Sequence, residues 1–250
     1  MTKLKILLID IETAPSLGYA WGKYDQTILK FEKYRYMLSF SAKWLGTNTH
    51  IVKGLPDYPV YDLDKENDSQ LVNELRELLD EADIVIGHNC DKFDIKVINT
   101  RCAVNNILPP APFRTIDTLK LSKKYFGAES YRLNDLGIFL GVGHKVHTGG
   151  FSLWYDCMNG DKQAWARMKK YNKQDVSLLE KVYLKLRPWS GPTHPRVSVE
   201  DEDQKCVVCG SSNVQKRGYN YTKMYKFQRF ACLKCGAWTQ GTTEKKRINV

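Results

Sequence analysis

The sequence predicts an α/β domain followed by a small, β-rich, cysteine-knuckled appendage. Three observations carry this expectation. Short apolar runs with strand character alternate with stretches of helical periodicity up to about residue 187. Two Cys-x-x-Cys pairs, Cys206/Cys209 and Cys232/Cys235, then follow within a short span. The charge divides at the same place: the chain carries +10 overall, and residues 205–250 hold seven Lys and three Arg against one acid, Glu244. The first 204 residues are therefore close to neutral.

The elements follow in order. "KILLIDIE" reads as a strand with Ile6, Leu8, Asp10 and Glu12 on one face and Leu7, Ile9 and Ile11 on the other. Two carboxylates on one face repel, and removing either from water costs several kcal/mol unless a cation or a donor compensates. "YMLSFSAKWLG" and "THIVKG" are further strands. "DSQLVNELRELLDEAD" places Leu71, Leu75, Leu78 and Leu79 at helical spacing behind Asp68 or Ser69 as N-cap. "DIVIGHN" is a short apolar strand, and "DKFDIKVINTRCAVNN" is a helix with Asp94 in its first turn, beside Phe93; Asp91 is the competing carboxylate and serves equally as an N-cap. "TIDTLKLSKKYF" and "LNDLGIFLGV" continue as helices. In the last, longest helix, Met168, Tyr171, Asp175, Leu178 and Val182 form an inward-facing stripe interrupted by one acid.

Residues 1–187 are thus expected to form the large domain, 188–204, with its prolines and acidic "EDED", a flexible linker, and 205–250 the appendage. There Cys206, Cys209, Cys232 and Cys235, each pair followed by a glycine, have the pattern of a Zn²⁺ site in a zinc ribbon. "RGYNYTKMYKFQRFAC" interleaves aromatics with cations, so Arg217, Tyr219, Tyr221, Lys223, Lys226 and Arg229 are candidate contacts to single-stranded nucleic acid, while some of the aromatics are needed for the ribbon's own core. Docking of a polymerase or another replication protein is the alternative use of this surface. No apolar run is long enough to span a membrane, and "MTKLKILLID" enters a strand at once with no cleavable leader, so a cytoplasmic location is expected.

Four carboxylates on a strand end, a helix start and a late helix supply the oxygen ligands that two Mg²⁺ or Mn²⁺ ions prefer. The series Asp10-x-Glu12, His88-Asn89 with Phe93-Asp94, and Tyr171-x-x-x-Asp175 resembles the three exonuclease motifs of the DEDD superfamily, tyrosine subgroup, which includes proofreading domains of B-family DNA polymerases. The resemblance covers roughly residues 3–186. It implies a ribonuclease-H-like mixed sheet flanked by helices and a two-metal 3′-to-5′ exonuclease releasing 5′ mononucleotides. It further implies metal ligation by Asp10, Glu12, Asp94 and Asp175 and a water-orienting role for Tyr171. Asn89, with His88 and Phe93 of the same motif, would contact the terminal nucleotide. Single-stranded DNA is the expected substrate and proofreading would act in trans. An exoribonuclease and an inactive nucleic-acid-binding adaptor are the rival readings.

Overall fold

The computed structural model describes residues 4–22, 24, 27–146, 149–194, 204–222, 225–241 and 246–247. Its elements run β1 (Ile6–Thr13), β2 (Leu17–Tyr19), β3 (Lys30–Lys33), β4 (Met37–Trp44), β5 (Ile51–Gly54), α1 (Val60–Leu63), α2 (Ser69–Asp80), β6 (Ile84–Gly87) and α3 (Asp94–Val104). There follow β7 (Arg114–Asp117), α4 (Thr118–Tyr125), α5 (Leu133–Phe139), α6 (Ser152–Met158), α7 (Lys162–Leu186), a 3-10 helix (Arg187–Thr193), β8 (Val214–Tyr221), β9 (Tyr225–Cys232), β10 (Trp238–Gln240) and β11 (Lys246–Arg247).

The central sheet has the order β5-β4-β1-β6-β7, with β4 antiparallel to its neighbours and β1, β6 and β7 parallel. The alternation along β1 divides the core as expected. Leu7, Ile9 and Ile11 pack with α2 and with Trp165 and Met168 of α7, while Ile6 and Leu8 pack with Ile84, Ile86, Leu136 and the C-terminal half of α7. Asp161 starts α7 by accepting from the backbone N–H groups of Gln163 and Ala164. Met168, Asp175, Leu178 and Val182 are all buried, with Tyr171 partly so.

Two expectations are corrected. The stretch from Thr115 is not helical at its start: Arg114–Asp117 form β7, and Asp117 caps α4 through the N–H groups of Leu119 and Lys120. Asp68 stands at the N-cap position of α2 but does not cap it. Its fully buried carboxylate instead accepts from Arg101 Nε and Nη2 at 2.7 and 2.8 Å, from the Met37 N–H at 2.8 Å and from Asn105 Nδ2 at 2.7 Å. It thereby joins α3 to the start of β4. Removing one partner of a buried pair strands the other charge, so Asp68→Ala should lower unfolding free energy by about 3–5 kcal/mol. Urea denaturation measures this, and a loss below about 1 kcal/mol would show that Arg101 finds another partner.

The stretch read as a flexible linker begins as folded structure. The 3-10 helix continues α7, Ser190 and His194 are buried, and Trp189 meets Phe126 edge-on at 4.9 Å. Residues 195–203 lie outside the described residues. The ribbon packs against this helix: a Cβ at Gly191 would come within 2.4 Å of the Trp238 carbonyl oxygen. Arg114 Nη1 donates to the Thr193 carbonyl at 3.2 Å, which places the ribbon at the N-terminal end of the parallel strands.

Candidate active site

The pairing of β1 with β6 ends at Leu8, and β1 continues beyond it, so Asp10 and Glu12 stand at the carboxyl end of the parallel strands where a cleft opens. The chain leaving β6 turns sharply at Gly87, where a Cβ would lie 2.4 Å from Cys90 Cβ, and passes through Asn89 in the left-handed region at φ 65°. Asp117 holds this turn by accepting from the Asn89 N–H at 2.9 Å and the Asp91 N–H at 3.4 Å. The turn delivers Asp94 to the cleft, where its Oδ1 accepts from the Ile11 N–H at 3.3 Å. From the other side α7 presents Tyr171 and Asp175.

Carboxylate oxygens of Asp10, Glu12 and Asp175 lie within 4.8 Å of one another. Asn172 Nδ2 donates to Asp10 Oδ2 at 2.6 Å, and Trp154 Nε1 donates to Glu12 Oε2 at 3.1 Å. Trp154 also meets the Tyr171 ring edge-on at 6.0 Å. Lys145, from the loop after α5, reaches Asp175 Oδ2 at 2.6 Å and Tyr171 Oη at 3.2 Å. Sequence reasoning missed Lys145, Asn172 and Trp154.

Burial and then mutual repulsion raise the acids. Asp10 lies well above its ordinary value, Glu12 is pushed up to about 8, and burial lifts Asp94 to about 7. Burial raises Asp175 against the pull of Lys145. One ammonium does not balance four carboxylates, and Asp175 Oδ1 is buried with no hydrogen-bond partner among the described residues. A hard-oxygen donor set short of positive charge, with one buried oxygen unclaimed, fits divalent cations.

A stability prediction follows. An acid whose folded pKa is raised binds more protons folded than unfolded, so metal-free stability falls as pH rises. For Glu12 the loss begins near its ordinary 4.5 and is complete above about 8. Added Mg²⁺ or Mn²⁺ should therefore raise the melting temperature more at pH 8 than at pH 6, where protons compete for the same oxygens. Equal shifts in differential scanning fluorimetry would contradict a carboxylate-held ion.

The other sequence candidates divide. Asn89 lines a cleft of about 600 Å³ that also carries Lys123, Arg132 and Lys145. His88 belongs to its wall, but both ring nitrogens are engaged within the fold, Nδ1 with Thr118 Oγ1 at 2.9 Å and Nε2 with the Tyr131 carbonyl at 3.0 Å. Phe93 packs on the core with the Arg35 guanidinium 5.3 Å above its ring. Asp91 neither caps α3 nor joins the cluster of Asp10, Glu12 and Asp175; it pairs with Lys120 at 2.7 Å.

In the ribbon the four cysteine sulfurs converge, with Cys206–Cys235 at 3.7 Å and Cys209–Cys232 at 3.6 Å. A tetrahedron with Zn–S bonds of about 2.3 Å has edges of about 3.8 Å, so this spacing fits one Zn²⁺. The two knuckles match, each turned by a glycine at positive φ, Gly210 and Gly236, whose N–H bonds back to Cys206 and Cys232. Phe227 and Phe230 are buried. Arg217 and Tyr221 are exposed, Lys226 lies over the Tyr219 ring and Arg229 over Trp238. Lys223 lies outside the described residues.

A family model of the RNase H superfamily, RNase_H_2, matches residues 56–187, more than half of the chain. The chain belongs to the RNase H superfamily. The matched span holds Asp94, Tyr171 and Asp175, with Asp10 and Glu12 on the strand that precedes it. In fold, this RNase H superfamily chain is similar to a family B DNA polymerase from the hyperthermophilic archaeon Pyrobaculum calidifontis, with a TM-score of 0.55 and 14% identity over 77% of this chain. The chain spans 26% of that polymerase's length. No curated protein matches the sequence. Among the described residues no helix is long and apolar enough to cross a membrane.

Proposed function

We propose that the protein is a two-metal 3′-to-5′ exonuclease of the DEDD tyrosine subgroup, acting on single-stranded DNA and releasing 5′ mononucleotides. The observation that carries this reading is the convergence of Asp10, Glu12 and Asp175, with Asp94 beside them and Tyr171 one turn before Asp175, around a negative pocket that Lys145 offsets only in part. Asp10, Glu12 and Asp175 would hold one divalent ion and Asp10 with Asp94 the second. Bound there, such ions supply a water of lowered pKa and stabilise the leaving oxygen. Overall, the water oxygen bonds to phosphorus, the bond to the 3′ oxygen breaks, and a proton passes to that oxygen.

The chain's own residues position these parts. Tyr171 is raised by burial and then by the charge of Asp175, so its phenol stays protonated at neutral pH and orients rather than deprotonates. Lys145 Nζ donates to the Tyr171 oxygen, and the Tyr171 hydroxyl in turn stabilises the Asp175 carboxylate, which holds the phenol beside the acidic cluster. Asn172 and Trp154 fix the rotamers of Asp10 and Glu12. Asn89 lines the cleft beside the site, where the terminal nucleotide would sit. We assign the ribbon to holding the strand or docking a polymerase, so that proofreading or repair trimming proceeds in trans.

The test is electrophoresis of 5′-labelled DNA and RNA single strands with Mg²⁺ or Mn²⁺. A ladder shortening from the 3′ end is the expected result, with DNA degraded faster. Faster loss of RNA would make the enzyme an exoribonuclease, and intact strands with retained binding would make it an adaptor.

A further inference from the structure

Eight of the large apolar side chains exposed among the described residues lie between Leu17 and Tyr34, a stretch the carboxylate site does not use. They belong to the hairpin of β2 and β3, which among the described residues forms a two-stranded sheet separate from the central one. A two-stranded hairpin is marginally stable alone, and a patch this dense marks an interaction surface. Much of it is aromatic. Tyr19, Trp21, Phe31 and Tyr34 are exposed, Trp21 by 86% and Tyr34 by 74%, and Phe31 stacks on Tyr34 at 5.5 Å.

The hairpin's roots flank the carboxylates. Its first strand leaves β1 five residues after Glu12. On its exit, the Arg35 guanidinium covers Phe93, the residue before Asp94, and the Arg35 carbonyl accepts from Arg101 Nη1 at 3.4 Å. Between Leu17 and Arg35 the sequence places Lys23, Lys30, Lys33 and Arg35 among these rings against Asp25 and Glu32, and Lys30 and Lys33 meet Glu32 and Glu66 in solvent-exposed pairs at 3.2 and 2.5 Å. Flat π-faces interleaved with cations suit bases and phosphates together.

We propose that this hairpin is a base-stacking platform that holds a single-stranded nucleic acid beside the carboxylates, with Trp21 and Tyr34 each taking a base. The proposal rests on the exonuclease reading for its ligand.

The test uses the full chain carrying Asp10→Asn, which binds without cutting, and the fluorescence anisotropy of a 5′-labelled oligothymidylate. Trp21→Ala and Tyr34→Ala should each weaken binding about fivefold or more. Trp21→Phe should retain it within about twofold, whereas Trp21→Leu, apolar but without a π-face, should behave like Trp21→Ala. Ile138→Ala, at an exposed site on α5, whose buried residues pack in the cluster with Ile6 and Leu8, controls for loss of surface apolar area. A Leu variant that binds normally, or variants that all bind alike, would overturn stacking, and unchanged strand binding with loss of a protein partner would assign the hairpin to that partner instead.

Cleavage of the same strand by the chain with Asp10 intact separates the two ideas. Cleavage with hairpin-independent binding removes the platform alone, whereas Trp21-dependent binding without cleavage supports the platform and removes the exonuclease. No binding and no cleavage would remove both.

Discussion

Asp10→Asn should abolish cleavage while making the metal-free protein more stable. The substitution keeps the size of the side chain and an oxygen that can still accept from Asn172 Nδ2. It removes one negative charge from a buried cluster in which Glu12, Asp175 and Asp94 all push the Asp10 carboxyl up. A group whose ionised form is disfavoured by its surroundings weakens the fold when ionised, so its neutral amide should raise the melting temperature by a few degrees, about 2–4 °C for each kcal/mol in a chain of this size. The rate should fall by at least 10²- to 10³-fold, the scale on which loss of one group stabilising transition-state charge is felt. Paired measurements decide the matter: thermal unfolding without divalent ions, and single-strand degradation with them. Opposite signs identify a site where function is maintained against stability. A variant that is both less stable and inactive would make Asp10 a structural residue, and an active variant would remove the carboxylate argument.

The convergence of Asp10, Glu12 and Asp175 was legible in the sequence because each breaks a pattern that local geometry enforces, whereas Asp94 breaks none and competed with Asp91. Asp10 and Glu12 interrupt a period of two, and Asp175 interrupts a helical stripe in which Met168, Leu178 and Val182 are buried. Lys145 breaks no pattern. It comes from the loop between α5 and α6, held by its N–H on Asn134 Oδ1 at 2.8 Å, and meets Asp175 only because that loop folds back over α7. β7 was hidden for a different reason. Its four residues run directly into α4, so Asp117 reads as part of one helix although it ends a strand, caps the helix and holds the Asn89 turn. The division of aromatics in the ribbon was anticipated, but which of them are buried depends on register: Phe227 and Phe230 are covered in β9, while Tyr221 on β8 is left outside. Docking of the ribbon on the 3-10 helix is a long-range contact that proline and acid content in a supposed linker did not reveal.

Cys232→Ser should unfold the ribbon and leave the larger domain standing. The buried apolar cluster around the knuckles consists of Cys206, Val208, Cys232 and Ala237, two of them among the four cysteines proposed to hold zinc. Units of about 40 residues or fewer rarely hold together without a metal or disulfides. Binding of a structural Zn²⁺ is worth an apparent ~10–16 kcal/mol in isolated fingers, more than such a cluster supplies. Bound zinc should fall from one ion per chain to well below one, and the amides of β8, β9 and β10 should lose their protection in hydrogen exchange. The two clusters of the central sheet contain no ribbon residue, so β1, β4 and β6 should keep theirs. Strands β8–β10 that stay protected without metal would mean that packing against Gly191 and the 3-10 helix, rather than zinc, maintains the ribbon. The activity readout then bears on what the ribbon does. It docks at the end of the sheet opposite the carboxylates, and Asp175 and Leu186 alone are separated by about 16 Å along α7. Short strands that reach only the carboxylates should be degraded at the normal rate by Cys232→Ser, and long strands should lose affinity. Equal loss for both lengths would mean instead that the ribbon supports the fold of the larger domain rather than gripping the strand.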